Sequence, residues 1–174
     1  MGQPLLSELS RRRKLALLLR HLPPGASVLE VGSGSGWFSE GLRRRGHPVM
    51  TLDIQGPADL VGDVNAWRDL GLGPGSFDAV VGLELIEHVD CLAAMRALCR
   101  PGGLIMLSSP HPRWDWVMKI LEALRLTQRR TSPHDNLTDF AAIDMRALVR
   151  SRPLFIHQVA IFINDPRAPG FGPQ

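Results

Sequence analysis

The chain has 174 residues, 44% of them hydrophobic and 21% charged, with a formal net charge of +3. That length suits one well-buried domain, residues 1–174, and is too short for two ordinary ones. Charges of both signs are spread along the chain and no stretch approaches the roughly 18 apolar residues of a membrane span, so a soluble globular protein is expected.

Leu5 to His21 reads as an amphipathic helix within an N-terminal segment 1–25, closed by Pro23-Pro24-Gly25. Its "RRRKLALLL" imitates the charged and apolar parts of a signal peptide. The apolar part ends at Arg20 after five residues, short of the roughly 7–15 that such a peptide needs. "SVLEV" follows as a short buried strand, then a glycine loop, then a helix from Trp37 to Arg45 ended by Gly46. "PVMTLDI", "ADLVGDV" and "FDAVVGLEL" read as the next three strands, "VDCLAAMRALC" as a helix and "LIMLSS" as a fifth strand. Strands alternating with helices imply right-handed crossovers and a doubly wound, mainly parallel α/β sheet with helices on both faces.

After Pro110 the rhythm changes. Residues 110–138 are too long for a simple crossover and form a cap-like excursion carrying Trp114 and Trp116, with Val117, Ile120, Leu121 and Leu124 on one helical face. Thr138 or Asp139 is placed to cap a further helix running to about Arg150. "LFIHQVAIFI" reads as one long last strand, Leu154–Ile163, before a loose tail. The two cysteines, Cys91 and Cys99, have neither a metal-site nor a disulfide-framework spacing, which suits a reducing compartment, the cytoplasm. The basic runs Arg11–Lys14, Arg43–Arg45 and Arg129–Arg130 are scattered along the chain and read as solvated helix faces in preference to a nucleic-acid footprint.

"EVGSGSGWF" is the most informative stretch. In an open α/β sheet, ligands sit beyond the carboxyl ends of the strands where strand order reverses, and the loop after the first strand is that place. Asp53 ends the second strand 21 positions after Gly32, where a carboxylate accepts hydrogen bonds from ribose hydroxyls. A dinucleotide fingerprint needs G-x-G-x-x-G, but Trp37 stands at its third glycine and crowds the helix N-terminus on which a pyrophosphate would rest. Glu30, just before the loop, would repel a pyrophosphate and suits a cationic amine or sulfonium.

"EVGSGSG" resembles the first motif of the class I S-adenosylmethionine-dependent methyltransferases. The resemblance runs on in order through "TLDI", "GDV", "FDAVVGLELIEHV" and "LCRPGGLIMLSSP", covering Val28 to about Pro110. It implies a Rossmann-like sheet and S-adenosyl-L-methionine as cofactor. Glu30, Gly32, Ser33 and Gly34 would line the cofactor's methionine part, and Asp53 would hold the ribose. Ile54 would cover the adenine, Asp63 would meet its amino group, Val64 would pack alongside, and Leu83 would lend backbone near the amino end. The family pattern also closes its sheet with an antiparallel last pair of strands. Only one strand is legible here, so the other is expected to be missing or supplied otherwise, a second copy of the chain included.

"ELIEH" carries a second constellation: Glu84, Glu87 and His88. One reading is structural, with Glu84 near the cofactor, Glu87 solvated and His88 packing or capping. A second makes His88, beside Glu84, a general base, since imidazole takes a proton near neutral pH. A third follows from E-x-x-E-H being similar to a segment of ubiquinone-biosynthesis O-methyltransferases and small-RNA 2′-O-methyltransferases, which would make Glu84, Glu87 and His88, with His134, ligands of a divalent ion. His88 and Glu84 are taken as the catalytic candidates and no metal is assigned. The expected function is methyl transfer to an O, N or C atom of a small-molecule acceptor. A nucleic-acid methyltransferase and a non-catalytic S-adenosylmethionine-binding module are the alternatives.

Overall fold

The computed structural model describes residues 5–110, 139–152 and 157–165. Among them α1 (Leu5–Leu19) leads into β1 (Val28–Val31), α2 (Trp37–Arg43), β2 (Val49–Asp53), β3 (Leu60–Val61) and a 3-10 turn at Val64–Ala66. Then come β4 (Phe77–Leu83), α3 (Leu92–Leu98), β5 (Cys99–Pro110), β6 (Ala147–Ser151) and β7 (His157–Ile163). The seven strands form one sheet in the order β3-β2-β1-β4-β5-β7-β6. The first five are parallel to their neighbours, and β7 runs antiparallel to both β5 and β6. Strand order reverses between β1 and β4, so the loops leaving these two strands face each other across the switch point.

The strands read as unbroken apolar runs because both faces are covered. Alternate residues go to opposite sides. Val28, Ala79, Val81, Leu104, Met106, Val159 and Ile161 meet Leu15 and Leu18 of α1 and Phe38 and Leu42 of α2. Leu29, Val80, Ile105, Leu107, Ala160 and Phe162 meet Met95 and Leu98 of α3, with Trp67 and Phe140. The two helices of the first face come close at Gly41, where a Cβ would stand 2.6 Å from Leu15 Cδ2. No helix among the described residues is long and apolar enough to cross a membrane.

Two expectations are corrected. Residues 139–146 form turns, with Asp139 Oδ1 accepting from the Ala141 amide at 2.9 Å, and the helix expected up to Arg150 gives way to β6. Ala, Leu and Arg are good helix formers, but the preference is worth well under about 1 kcal/mol per residue, and pairing with β7 (Val149 opposite Ile161, Ser151 opposite Val159) overrides it. The sheet therefore has its antiparallel last pair within this chain, and the ground for expecting a strand from a second copy is removed. The cap excursion 111–138, with Trp114, Trp116 and His134, the start of the expected last strand at Leu154–Ile156, and the tail from residue 166 lie outside the described residues.

Two buried polar groups fasten this frame. Asn164, fully buried, donates from Nδ2 to the carbonyls of Arg96 (2.9 Å) and Cys99 (2.7 Å), tying the end of β7 to the α3–β5 junction. Asn164→Ala should leave those carbonyls unpaired and cost about 2 kcal/mol, a fall in Tm of roughly 4–8 °C by calorimetry. Glu30, 2% exposed, accepts from the Ser39 amide at 3.0 Å and so satisfies one of the free N–H groups of α2. Burial pushes its carboxyl from 4.5 up to about 7, the Ser39 hydrogen bonds opposing this only in part. The folded state therefore holds this proton more tightly than the unfolded chain. The stabilisation is full below pH 4.5, is lost as pH rises towards about 7, and leaves a buried charge above that. Glu30→Gln should gain up to about 3 kcal/mol at pH 8 and almost nothing at pH 4, read as the Tm difference from wild type. A difference independent of pH would contradict this.

Candidate active site

The loop between β1 and α2 is built from three left-handed positions, Gly32 (φ 72°), Gly34 (φ 50°) and Gly36 (φ 69°). Side chains other than glycine rarely take this conformation, so the alternating glycines are a backbone requirement. Gly32 donates to the Leu52 carbonyl at 2.8 Å, and a Cβ on it would meet Leu85 Cδ1 at 3.1 Å. The loop is thus wedged between β2 and the segment after β4. Gly34 differs: a Cβ there would meet nothing within 4 Å, so its outer side is open. Beside it, Ser33 is buried and its Oγ has no hydrogen-bond partner among the described residues.

Asp53, at the end of β2, faces this loop. Its Oδ2 accepts from the Gly34 amide at 2.9 Å and its Oδ1 from the Gln55 amide at 3.2 Å. Each oxygen has a second lone pair left. Ile54, the next residue, is 67% exposed, a large apolar side chain turned to solvent at the strand end. Asp63 accepts from the Asn65 amide at 2.9 Å and caps the 3-10 turn, while Val64 packs into the core. Asn65 in turn donates to the Asp90 carbonyl at 3.1 Å, joining this turn to the segment beyond β4.

At the end of β4, Leu83 is half-buried and Glu84 takes a left-handed conformation (φ 52°), rare for a residue with a side chain. Its carboxylate is gripped from three elements. Lys14 Nζ of α1 lies 2.5 Å away, Ser108 Oγ of β5 donates at 2.8 Å, and His157 Nδ1 of β7 stands at 3.5 Å. Burial alone would raise this carboxyl, but Lys14 and then His157 outweigh it and hold the group well below the usual carboxylate range. Glu87 is buried, and burial together with the charge of Glu84 pushes it up to about 7. His88 is exposed, in a single turn whose amides at His88 and Val89 donate to the Leu85 carbonyl at 2.9 and 3.3 Å.

The structure thus gathers Glu30, Gly32, Ser33, Gly34 and Asp53 around one loop. Ile54, Asp63 and Val64 follow beside it, and Leu83, Glu84 and His88 lie across the switch point. Among the described residues no group of three His, Cys, Asp or Glu is arranged to hold a metal ion. Sequence reasoning missed Lys14, Ser108 and His157. Lys14 stands four residues before Leu18, on the buried side of α1, and a lysine at that phase calls for a buried acid.

Residues 6–143 match the family model described as a methyltransferase domain. A ubiquinone biosynthesis O-methyltransferase of Xanthomonas campestris pv. campestris (strain B100) is 38% identical over 104 residues. That match covers 49% of this chain and 44% of the relative, so it spans less than half the relative's length. Among solved structures, a Pyrococcus horikoshii OT3 protein superposes with a TM-score of 0.67 at 17% identity, over 90% of this chain and 91% of that one. Another is the 1,6-didemethyltoxoflavin-N1-methyltransferase of Burkholderia thailandensis, with TM-score 0.58 and 16% identity over 89% and 78% of the two chains. These likenesses bear on the fold, whereas the family model matches most of the chain's length. The chain belongs to the methyltransferase domain family.

Proposed function

We propose that the protein transfers a methyl group from S-adenosylmethionine to an oxygen of a small-molecule acceptor. The observation that carries this is the Gly32–Gly36 loop, clasped by Asp53 through the Gly34 amide and left open at Gly34 where a ligand's approach needs a missing Cβ. The orphaned Ser33 hydroxyl beside that opening fits a polar ligand group. The sequence likeness to an O-methyltransferase, together with family membership, supports the reaction class. The solved neighbour from Burkholderia thailandensis carries S-adenosylhomocysteine, the demethylated form of the same donor.

In this reading the donor supplies a sulfonium methyl, and the chain's work is to hold, orient and dry it. Gly32, Ser33 and Gly34 border the methionine part, with Glu30 behind them. Asp53 uses its remaining lone pairs for the ribose hydroxyls, and the exposed Ile54 has an apolar face to cover with adenine. Asp63 keeps one oxygen beyond its turn bond for the adenine amino group, with Val64 beneath. Leu83 offers backbone near the amino end. Glu84, its charge committed to Lys14, fixes the end of β4, which leaves His88 to take the acceptor's proton. Both cysteines are free and buried thiols pushed up to about 12 by burial, which suits a reducing compartment such as the cytoplasm.

The test is calorimetric titration with S-adenosylmethionine, S-adenosylhomocysteine and NAD. The first two should bind and NAD should not. Asp53→Ala should weaken both by at least about tenfold with the circular dichroism unchanged, because the ribose loses its acceptors and the loop its clasp. Unaltered affinity in a folded variant would remove Asp53 from the site.

His88 is tested by rate. Assayed against hydroxylated aromatic acceptors, His88→Ala should lose about 10²–10⁴-fold in turnover with cofactor affinity preserved. Full activity in the variant would show that proton removal does not depend on His88.

A further inference from the structure

The arginines of the first two helices are mostly engaged. Arg12 pairs with Glu8 at 2.6 Å, Arg44 with Glu40 at 2.8 Å and Arg43 with Asp59 at 2.7 Å, while Arg11 lies 5.2 Å over the Trp37 ring. Arg13 and Arg20 are exceptions: both are exposed, and neither has an ion-pair or hydrogen-bond partner among the described residues. Arg13 lies on α1 and Arg20 just past its end, seven positions on, so their stems are about 10 Å apart along one side of the helix.

That side forms one wall of a groove of about 290 Å³. Its opposite wall is Ser151 of β6 and Val159 of β7, and its apolar lining includes Leu17 and Val159. Among the described residues no acidic side chain lines it. Lys14 also borders the groove, but its ammonium is turned to Glu84. Val159 lies opposite Ser108 in the sheet, and the Ser108 hydroxyl holds the same Glu84 oxygen. The groove therefore backs directly onto the network at the end of β4. Two uncommitted guanidinium groups over an apolar strip select one ligand chemistry, a carboxylate or phosphate carried on an apolar body.

We infer that the groove between α1 and the β6–β7 edge binds a small amphipathic organic anion, with Arg13 and Arg20 holding the charged group and Leu17 and Val159 the apolar part. As the remote portion of the methyl acceptor, this ligand rests on the methyl-transfer reading; as a binding site, it does not. Binding energy gathered there, away from the reacting atom, would orient the acceptor.

The experiment is calorimetry on the whole chain with octyl phosphate and octanoate as probes, octyl glucoside as the neutral control, and inorganic phosphate as the control without an apolar tail. Both anionic probes should bind at least about tenfold more tightly than either control, and added salt should weaken them. Arg13→Ala/Arg20→Ala should lose about tenfold or more of that affinity while S-adenosylhomocysteine binds as in wild type. Equal binding of charged and neutral probes would overturn the proposal, as would anion binding that survives the double substitution. So would binding to phosphatidylglycerol vesicles without binding to octyl phosphate, which marks a membrane-surface contact. If the anion preference holds while S-adenosylhomocysteine binds neither form, the groove stands and the methyl-transfer reading falls. The reverse pattern removes the groove alone.

Discussion

Three left-handed backbone positions between Gly32 and Gly36 decide where β1 stops, where α2 starts and which way the intervening amides point. A side chain at such positions costs roughly 1–2 kcal/mol each, so the turn exists in this shape only because glycine occupies all three. Its shape is then held from two sides. Asp53 takes the Gly34 amide in front, and Glu30 takes the Ser39 amide behind, at the first turn of α2. The rear clasp is costly to keep charged, since burial lifts Glu30 to about 7. A buried acid is retained there because the helix start has amides that an apolar residue would leave unmatched.

Across the switch point a second left-handed residue, Glu84, has no glycine to ease it. Backbone strain of this kind persists where surrounding contacts over-determine it. Here α1, β5 and β7 each send a side chain to one carboxylate oxygen, and the Glu84 amide donates to the Ser108 carbonyl at 2.8 Å. Removing Lys14 would leave a partly buried anion with weaker support, which costs more than the pair itself gains. The N-terminal helix is thereby fixed to the strand end that faces the glycine loop, and its position is part of the site's geometry.

The loop, the parallel strands and the acids at their ends were legible in the sequence because each is a local requirement. Glycine at alternate positions, apolar runs of strand length and a carboxylate at the second strand's end are all set by a few adjacent residues. Asp63 was legible both as a turn residue and as a site residue, and its bond to the Asn65 amide shows the turn role at work. What sequence reasoning missed depends on partners distant in the chain. β6 was read as the end of a helix capped at Thr138 or Asp139, because "ALVRS" holds good helix formers and no clear apolar alternation, and only β7 makes these residues a strand. Lys14 was read with its neighbours as a solvated basic run, although its partner lies 70 residues on. The role of Glu30 at α2 needed the helix direction, which a one-dimensional pattern does not carry.

Charge is divided across this sheet edge in a way that follows from the same packing. On the β1–β2–β3 side stand Glu30, Asp53 and Asp63, with carboxylates turned to backbone amides. On the α1 and β6 side stand Arg13 and Arg20, with no acid among the described residues that line the groove. Lys14 and Glu84 meet at the border, and their pairing cancels the charge that would otherwise blur it. Under the proposed function the first half suits a sulfonium donor, and the anion proposed for the groove suits the second. The Lys14–Glu84 pair thus holds α1 to the end of β4 without leaving a net charge there.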